Sequence, residues 1–531
     1  MASTGVMGRI FQRKPVELIH AETEHGELKR SLGALNLVLL GIGCIIGTGI
    51  FVLTGHAAAQ WAGPGIMISF IITGVLCAFV ALCYAELASA LPVSGSAYSY
   101  SYASMGEIVA WIMGLLLLLE YGLAASTVAV GWSGYFISLM QDLHIVIPPE
   151  LTAAPGVAVK DAAGQVIAHG TMNLPAILAI TAVTMLLIVG VSESATVNNV
   201  IVFIKLAVVI AFIGIGAFYV HPALWHPLIP PQIPAPPPGT PMDMWHQIGR
   251  ALVDVVTTTQ TPSRYGLGGV IQGAAVIFFA YIGFEAVSTA GAESKNPAKD
   301  MPIGILGALV ICTVLYIATC AVLVGIVPYA SLDNPAPIAT AVNQIGIWWF
   351  GPVVKVGAIA GLSSVMLVLL YGQTRIFYTM SHDGLLPSHL ALVHKRFKTP
   401  WINTIIVGIV AAGFAGFMGL DKLGELTNVG SLAAFAIVCF TVLFLRVTHK
   451  DMARPFKTPL FPFVPILGVL MCIFLLLSLM KVPDTRNFFL WYMGLGFLTY
   501  FAFGLWNSKL GRGLATAPDE LAGMAAPAPE P

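Results

Sequence analysis

The chain has 531 residues, of which 57% are hydrophobic and only 9% charged, and its 25 basic and 25 acidic side chains balance to zero. A soluble domain carries roughly 25% charged residues, so this composition excludes one and describes an integral membrane protein. The neutral balance and the lack of a basic stripe exclude a nucleic-acid binder.

Met1 to Arg30 is polar and mixed in charge, which does not fit a removable signal peptide. From there twelve apolar segments of spanning length follow, near 33–54, 66–90, 106–140, 173–191, 195–219, 267–290, 303–327, 352–380, 402–420, 427–446, 460–480 and 487–507. We refer to these as spans 1 to 12; the third and eighth exceed what a bilayer needs and predict tilted or extended helices. With the N-terminus in the cytoplasm, the inside segments hold 17 Lys and Arg and the outside loops 6. That bias predicts both termini in the cytoplasm. Seven cysteines, at 44, 77, 83, 312, 320, 439 and 472, fall inside apolar segments without metal-ligand or disulfide spacing and read as small core residues.

Span 1 contains G-I-G-C-I-I-G-T-G-I-F, from Gly41 to Phe51. Each glycine in a helix interior costs about 1 kcal/mol relative to alanine. In lipid, a backbone that gives up its own hydrogen bonds is tolerated only beside a cavity or inside protein. Two readings fit: a discontinuous helix that offers amides and carbonyls to a ligand, or close helix packing through small residues.

Lys205, in the middle of span 5, has no charged residue within eleven positions on either side. Lysine, unlike arginine, can release its proton in an apolar setting, which suits a proton carrier; the other reading is an ammonium that snorkels to the interface. The loop 221–265 is rich in proline and is expected to be extended in part over the external face.

Span 6 repeats the theme of span 1. In I-F-F-A-Y-I-G-F-E-A-V-S-T-A-G-A-E, from Ile277, it places Gly283 and Glu285 in mid-span. A carboxylate there costs of order 3 kcal/mol and needs a cavity or a partner. Spans 1 and 6 correspond if spans 1–5 and 6–10 are two halves of opposite topology, and paired broken helices in equivalent positions point to a transporter's central site. Half-helix N-termini suit a carboxylate and half-helix C-termini an ammonium. A compact zwitterion satisfies both, which makes an α-amino acid the expected ligand.

These two motifs, with C-Y-A-E-L-A-S-A-L-P-V-S-G-S-A-Y from Cys83, L-E-Y-G-L-A-A-S-T-V-A-V-G-W-S-G-Y from Leu119 and Y-G-Q-T-R-I-F-Y-T-M-S-H-D-G-L-L-P from Tyr371, resemble the amino acid-polyamine-organocation superfamily and, within it, a bacterial form of the cationic amino acid transporter family. The resemblance runs from about residue 25 to 507. It implies an all-α membrane protein of twelve helices, with a LeuT-like 5+5 inverted-repeat core at 32–447 whose helices 1 and 6 are broken. Two further helices at 448–507 would follow, flanked by cytoplasmic segments 1–31 and 508–531, the latter expected to be disordered.

By motif, the resemblance also implies that the Ile45 carbonyl meets a substrate ammonium and that Thr48 and Gly49 offer amides to its carboxylate. Carbonyls of Phe279, Ala280 and Ile282 would complete the ammonium site, with Phe279 as a gate. Ordinary packing is the other reading for Phe279, and a bond to its own helix for Thr48. Lys205 would bond the carbonyls of Gly43 or Ile46 and the hydroxyls of Ser363 or Ser364. Glu285 matches an acidic position for gating or proton sensing. Glu120, after five leucines in span 3, suits a structural hydrogen bond, a cationic substrate or a proton relay.

The resulting expectation is a proton-coupled L-amino acid symporter of the inner (plasma) membrane, multi-pass, without metal or other cofactor. Its partners would be the lipid bilayer, a small neutral or cationic amino acid such as alanine or arginine, and a small single-helix membrane subunit. An uncoupled exchanger would use the same pocket, and a sodium-coupled symporter would need the place given to Lys205. A membrane-embedded enzyme lacks any nucleophile elbow, zinc helix or paired catalytic carboxylates here.

Overall fold

The computed structural model describes residues 6–15, 32–93, 96–160, 165–190, 195–233, 249, 253, 264–397 and 399–513. Most of the N-terminal segment, the proline run at 234–238 and the tail from 514 onward lie outside the described residues. Every one of the twelve apolar segments contains helix. The principal helices are α1 (Val6–Ile10), α2 (Ala34–Ile45), α3 (Thr54–Ala57), α4 (Ile66–Ala90), α5 (Ser96–Met105), α6 (Glu107–Asp142), α7 (Leu174–Val189), α8 (Ala195–Gly216), α9 (Gly266–Ile277), α10 (Pro297–Ile326), α11 (Pro337–Ile345), α12 (Phe350–His382), α13 (Trp401–Phe417), α14 (Leu420–Thr448), α15 (Phe463–Leu479) and α16 (Pro483–Thr499). A two-stranded antiparallel ribbon, β1 (Ala158–Lys160) and β2 (Val166–His169), lies in the connection between α6 and α7. Among the described residues, eight helical stretches are long and apolar enough to cross a membrane, with shorter apolar helices at α2, α7, α13 and α15.

Their outward faces are apolar, with Leu178, Ile210, Val314, Ile409 and Leu495 more than half exposed. Soluble proteins do not expose contiguous apolar surface on this scale, so these faces meet lipid. All seven cysteines are buried, and none forms a disulfide.

Helices α6 and α12 run to 36 and 33 residues. At 1.5 Å per residue each is about 50 Å long, against a hydrocarbon core of about 30 Å, as the long third and eighth spans predicted. They pack along one another and form one wall of the molecule's centre. Local signals fix the ends of several helices. Asn173 accepts the Ala176 amide at 3.2 Å to cap α7, and Gly190, at φ +84°, ends it in the left-handed conformation that glycine favours.

Spans 1 and 6 are each interrupted. Helix α2 stops at Ile45; Ile46 turns to an extended conformation, and helix resumes at Gly49 with a π-helical turn that leads into α3. In span 6, α9 ends at Ile277 and a 3-10 turn, Phe278–Tyr281, follows; Gly283 then reverses the chain at φ +120° before a 3-10 stretch, Glu285–Glu293. The two breaks touch. A Cβ on Gly49 would lie 2.2 Å from the Ala280 Cα, and one on Gly283 would lie 2.8 Å from the Cys44 carbonyl carbon. Close packing and interrupted helix, posed as alternatives for the span 1 glycines, thus occur together. Residues flanking the two spans also pair, through the bridge between Leu32 and Ser294.

Polar clusters close both ends of the bundle. At the end that holds the N-terminal residues, Arg446 donates two bonds to the Glu86 carboxylate, at 2.9 and 2.6 Å, and Thr458 donates its amide at 2.8 Å. Lys14 and Tyr98 donate to Asp383 at 2.7 and 2.8 Å. Glu107 receives Tyr102, Tyr500 and Ser508, so the first residues after span 12 are bonded to the body. At the opposite end, Lys355 donates to Asp142 at 2.6 Å and Lys422 to Asp484 at 2.9 Å.

Glu86 is 3% exposed and Arg446 17%, with Arg454 Nε 3.4 Å from the same carboxylate, whereas Lys422 and Asp484 are 58% and 71% exposed. Removing one partner of a buried pair costs about 3–5 kcal/mol and an exposed pair contributes at most about 1 kcal/mol. Arg446→Ala is expected to lower the unfolding temperature of the detergent-purified protein clearly, with Lys422→Ala almost unchanged, as read by a thermal-shift assay.

Candidate functional site

The two breaks leave backbone groups without helical partners, and the structure shows where several of them go. The Tyr316 hydroxyl, on α10, lies 2.7 Å from the Ile45 carbonyl and 2.8 Å from the Ala280 carbonyl. One hydroxyl proton thus spans the ends of both broken helices. Lys205, on α8, donates to the Gly43 carbonyl at 2.5 Å and the Ile46 carbonyl at 3.3 Å. Its side chain is fully buried, with its stem laid on Gly361 of α12, where a Cβ would come within 3.4 Å. The snorkelling alternative does not describe this lysine, because its Nζ is turned into the break and not toward an interface.

A small cavity borders the span 1 break. Cys44, Ile45, Gly47, Thr48 and Gly49 line it from span 1, Phe279 and Ile282 from span 6, Ala124 and Val128 from α6, and Val365 and Leu369 from α12. The structure therefore brings together Ile45, Thr48, Gly49, Phe279 and Ile282, five of the six residues that the motifs marked for a substrate. Ala280, the sixth, stands behind them against Gly49. Thr48 is fully buried, and its hydroxyl has no hydrogen-bond partner among the described residues; the reading in which it bonds its own helix does not describe it. Buried hydroxyls are nearly always paired, so this one is available to a water or a polar ligand group in the cavity.

Ser363 and Ser364 lie on α12 within three residues of Gly361. Ser363 donates to the Ile359 carbonyl at 2.8 Å and accepts the Trp132 indole at 2.9 Å; Ser364 donates to the Gly361 carbonyl at 3.1 Å. Glu285 turns back on its own break, accepting the Gly283 amide at 2.8 Å through one oxygen, while the other has no partner among the described residues. Glu120 is fully buried on α6, neither of its oxygens has a partner there, and it does not line the cavity.

Sequence reasoning missed three features. Tyr316 looked like one more aromatic in an apolar span, and only the fold carries its hydroxyl to both breaks. The apolar wall of Ala124, Val128, Val365 and Leu369 has no local signal, since lipid-facing and cavity-facing positions read alike. His56, beyond the span 1 break, lies 3.0 Å from Asp333 and 3.1 Å from Asp421; its signal was a lone polar ring in the otherwise apolar run after Thr54.

Compared with known proteins, the chain is 44% identical over 506 residues to the "Methylthioribose transporter" of Bacillus subtilis, covering 95% of this chain and 100% of that one. It is 43% identical over 505 residues to the "Branched-chain amino acid permease BcaP" of the same organism, covering 95% and 99%. To the "Cationic amino acid transporter 4, vacuolar" of Arabidopsis thaliana it is 34% identical over 453 residues, covering 84% of this chain and 68% of the relative. These relatives are transporters and permeases by name. Residues 32–503 match the Amino acid permease family, within the superfamily that the motifs indicated, and the chain belongs to that family of membrane-integral transporters, which are not enzymes.

Proposed function

We propose that this permease is a proton-coupled symporter that imports neutral, apolar L-amino acids by alternating access. It would be built as twelve spans with a 5+5 inverted-repeat core and would lie in the plasma membrane with both termini in the cytoplasm. The observation that carries this reading is the two-sided use of the span 1 break: a cavity with a partnerless Thr48 hydroxyl on one face, and the Lys205 amino group on the carbonyls of the other. A zwitterion in the cavity would set its carboxylate against the start of the helix that resumes at Gly49, where free amides and the helix dipole favour negative charge. Its ammonium would approach the Ile45 and Ala280 carbonyls, so the Tyr316 hydroxyl would have to share them or yield.

The cavity wall supports a neutral side chain. Ala124, Val128, Ile282, Val365 and Leu369 are apolar, and no charged residue lines the space, so a cationic side chain would be desolvated there without a counter-charge. The relative named for branched-chain amino acids agrees with this preference. The relative named for methylthioribose supplies a second candidate, a polar head carrying a thioether, which would use the same apolar wall.

Coupling follows if proton and substrate favour the same arrangement of the break. A protonated Lys205 holds Gly43 and Ile46 in place behind the cavity, and loss of the proton weakens that hold and loosens span 1 for release inward. One charge moved through 100 mV contributes about 2.3 kcal/mol, enough for roughly fortyfold accumulation. A sodium ion would have to displace the lysine from these carbonyls, which disfavours a sodium-coupled symporter.

Uptake into proteoliposomes tests the reading. Leucine and alanine should accumulate with an inward proton gradient, arginine should not, and methylthioribose is measured alongside. Lys205→Ala is expected to abolish accumulation, as is Lys205→Arg, because a guanidinium keeps its proton. Equal wild-type uptake with and without the gradient would instead identify an uncoupled exchanger. Removing the Thr48 hydroxyl in Thr48→Val takes away a bond to a charged group, so KM should rise about tenfold or more; an unchanged KM would remove Thr48 from the site.

A further inference from the structure

At the end of the bundle opposite the N-terminal residues, the resumed half of span 1 carries a histidine held between two carboxylates. His56 is 7% exposed. Its Nδ1 lies 3.0 Å from an oxygen of Asp333, which follows the 3-10 turn Tyr329–Leu332, and its Nε2 lies 3.1 Å from an oxygen of Asp421, in the first turn of α14. Gln60, one turn further along span 1, donates to the other Asp333 oxygen at 2.7 Å. The backbone is pressed just as close: a Cβ on Gly55 would lie 2.3 Å from the Pro337 Cβ of α11. Three separate parts of the chain therefore meet at one imidazole.

We infer that His56, bound between Asp333 and Asp421, is a proton-operated clasp that fastens the resumed half of span 1 over the cavity when its imidazole is protonated. The chemistry follows from the donor inventory. A neutral imidazole has one N–H and one lone pair, so it can donate to one carboxylate only, and its other nitrogen faces the second anion without a hydrogen between them. An imidazolium donates at both ends, with two charge-assisted bonds. The structure has Nδ1 hydrogen-bonded to Asp333 and Nε2 in ion-pair contact with Asp421 at 3.1 Å, an arrangement of two anions about one ring that the protonated form satisfies best. Asp421 is 62% exposed, so the clasp is reached by water from its α14 side.

The surrounding charges favour the same state. α14 also carries Glu425, which accepts the Thr485 hydroxyl at 2.8 Å, and Lys422, which is engaged by Asp484 at 2.9 Å. Tyr329 precedes Asp333, and Tyr265 stacks on it edge-on at 5.6 Å. Arg264 donates to the Gln60 carbonyl at 3.1 Å. α11 contributes no ionisable side chain. Three acids thus stand near the ring against a lysine that is already paired.

Linkage sets the sign. The clasped arrangement binds the proton more tightly than the open one, so acid stabilises closure and alkali releases it. His56 lies eight residues beyond Thr48 on the same helical stretch, so the clasp acts on the segment that lines the cavity. Under the import reading above, an acidic exterior would close this side and promote passage inward. The proton at His56 is distinct from the one at Lys205, which sits on the far side of the break.

Hydrogen exchange read by mass spectrometry on the detergent-purified full chain, without amino acid, tests the clasp. Peptides covering 49–62 and 329–340 are followed at about pH 5.5 and about pH 8, on either side of an ordinary histidine, with rates corrected for intrinsic pH dependence. Wild type is expected to exchange about tenfold more slowly at the acid pH, the scale of one charge-assisted hydrogen bond. His56→Gln should abolish that difference, and Asp421→Asn, at an exposed position, should reduce it and carries the test if the histidine variant does not fold. A wild type without the difference, or a His56→Gln protein that keeps it, overturns the proposal. Lys205→Ala should keep the exchange difference while losing gradient-driven uptake, so failure of the transport reading and failure of the clasp give different results.

Discussion

A peptide group inside a bilayer must find a hydrogen bond within the protein, and two interrupted helices at the centre of this one violate the simplest way of doing so. Everything nearby answers that constraint. Tyr316 reaches across from α10 to the Ile45 and Ala280 carbonyls, and Lys205 reaches from α8 to those of Gly43 and Ile46. Glu285 takes the Gly283 amide. The glycines contribute by proximity: with Gly49 against Ala280 and Gly283 against Cys44, the two breaks pack on one another where side chains would hold them apart.

This arrangement explains why the scaffold is long and polar at its ends. The cavity takes its apolar wall from α6 and α12, whose length lets them brace the centre while anchoring at the membrane surfaces through Glu107 and Asp383 at one end and Asp142 and Lys355 at the other. Such pairs do little for a cavity directly. They fix the wall against which the short half-helices of spans 1 and 6 pack, and under the alternating-access reading proposed above that wall would be the part that stays put.

What the sequence made legible was whatever costs free energy locally. Glycines in mid-span, a carboxylate at Glu285 and an isolated ammonium at Lys205 are each unfavourable in a bilayer, so each called for a compensating structure, and the breaks and the contacts of Lys205 with Gly43 and Ile46 are those structures. Features that cost nothing locally stayed invisible. Tyr316 is an unremarkable residue of an apolar helix until tertiary packing brings two carbonyls to its hydroxyl, and Val365 reads like any lipid-facing valine. Glu285 shows the limit of the local argument: its cost was recognised, yet its partner is the amide two residues before it, which a search for a distant partner passes over. His56 obeys the same rule as Lys205, since a ring nitrogen buried in an apolar run also needs a partner.

On the symport reading proposed above, the geometry also limits how a driving ion and a substrate could communicate. If they occupied one space, binding of one would exclude the other, and a gradient could drive exchange but not symport. On that reading Lys205 and the cavity engage different residues of one stretch, the carbonyls of Gly43 and Ile46 against Cys44, Ile45 and Gly47 to Gly49, so both could be occupied at once and each would sense the conformation that the other prefers. A turn without internal hydrogen bonds is well suited to this, because its shape is set by its neighbours rather than by its own ladder. Regular helix in its place would present the same carbonyls already satisfied by amides four residues on, leaving neither a lysine nor a substrate anything to bind.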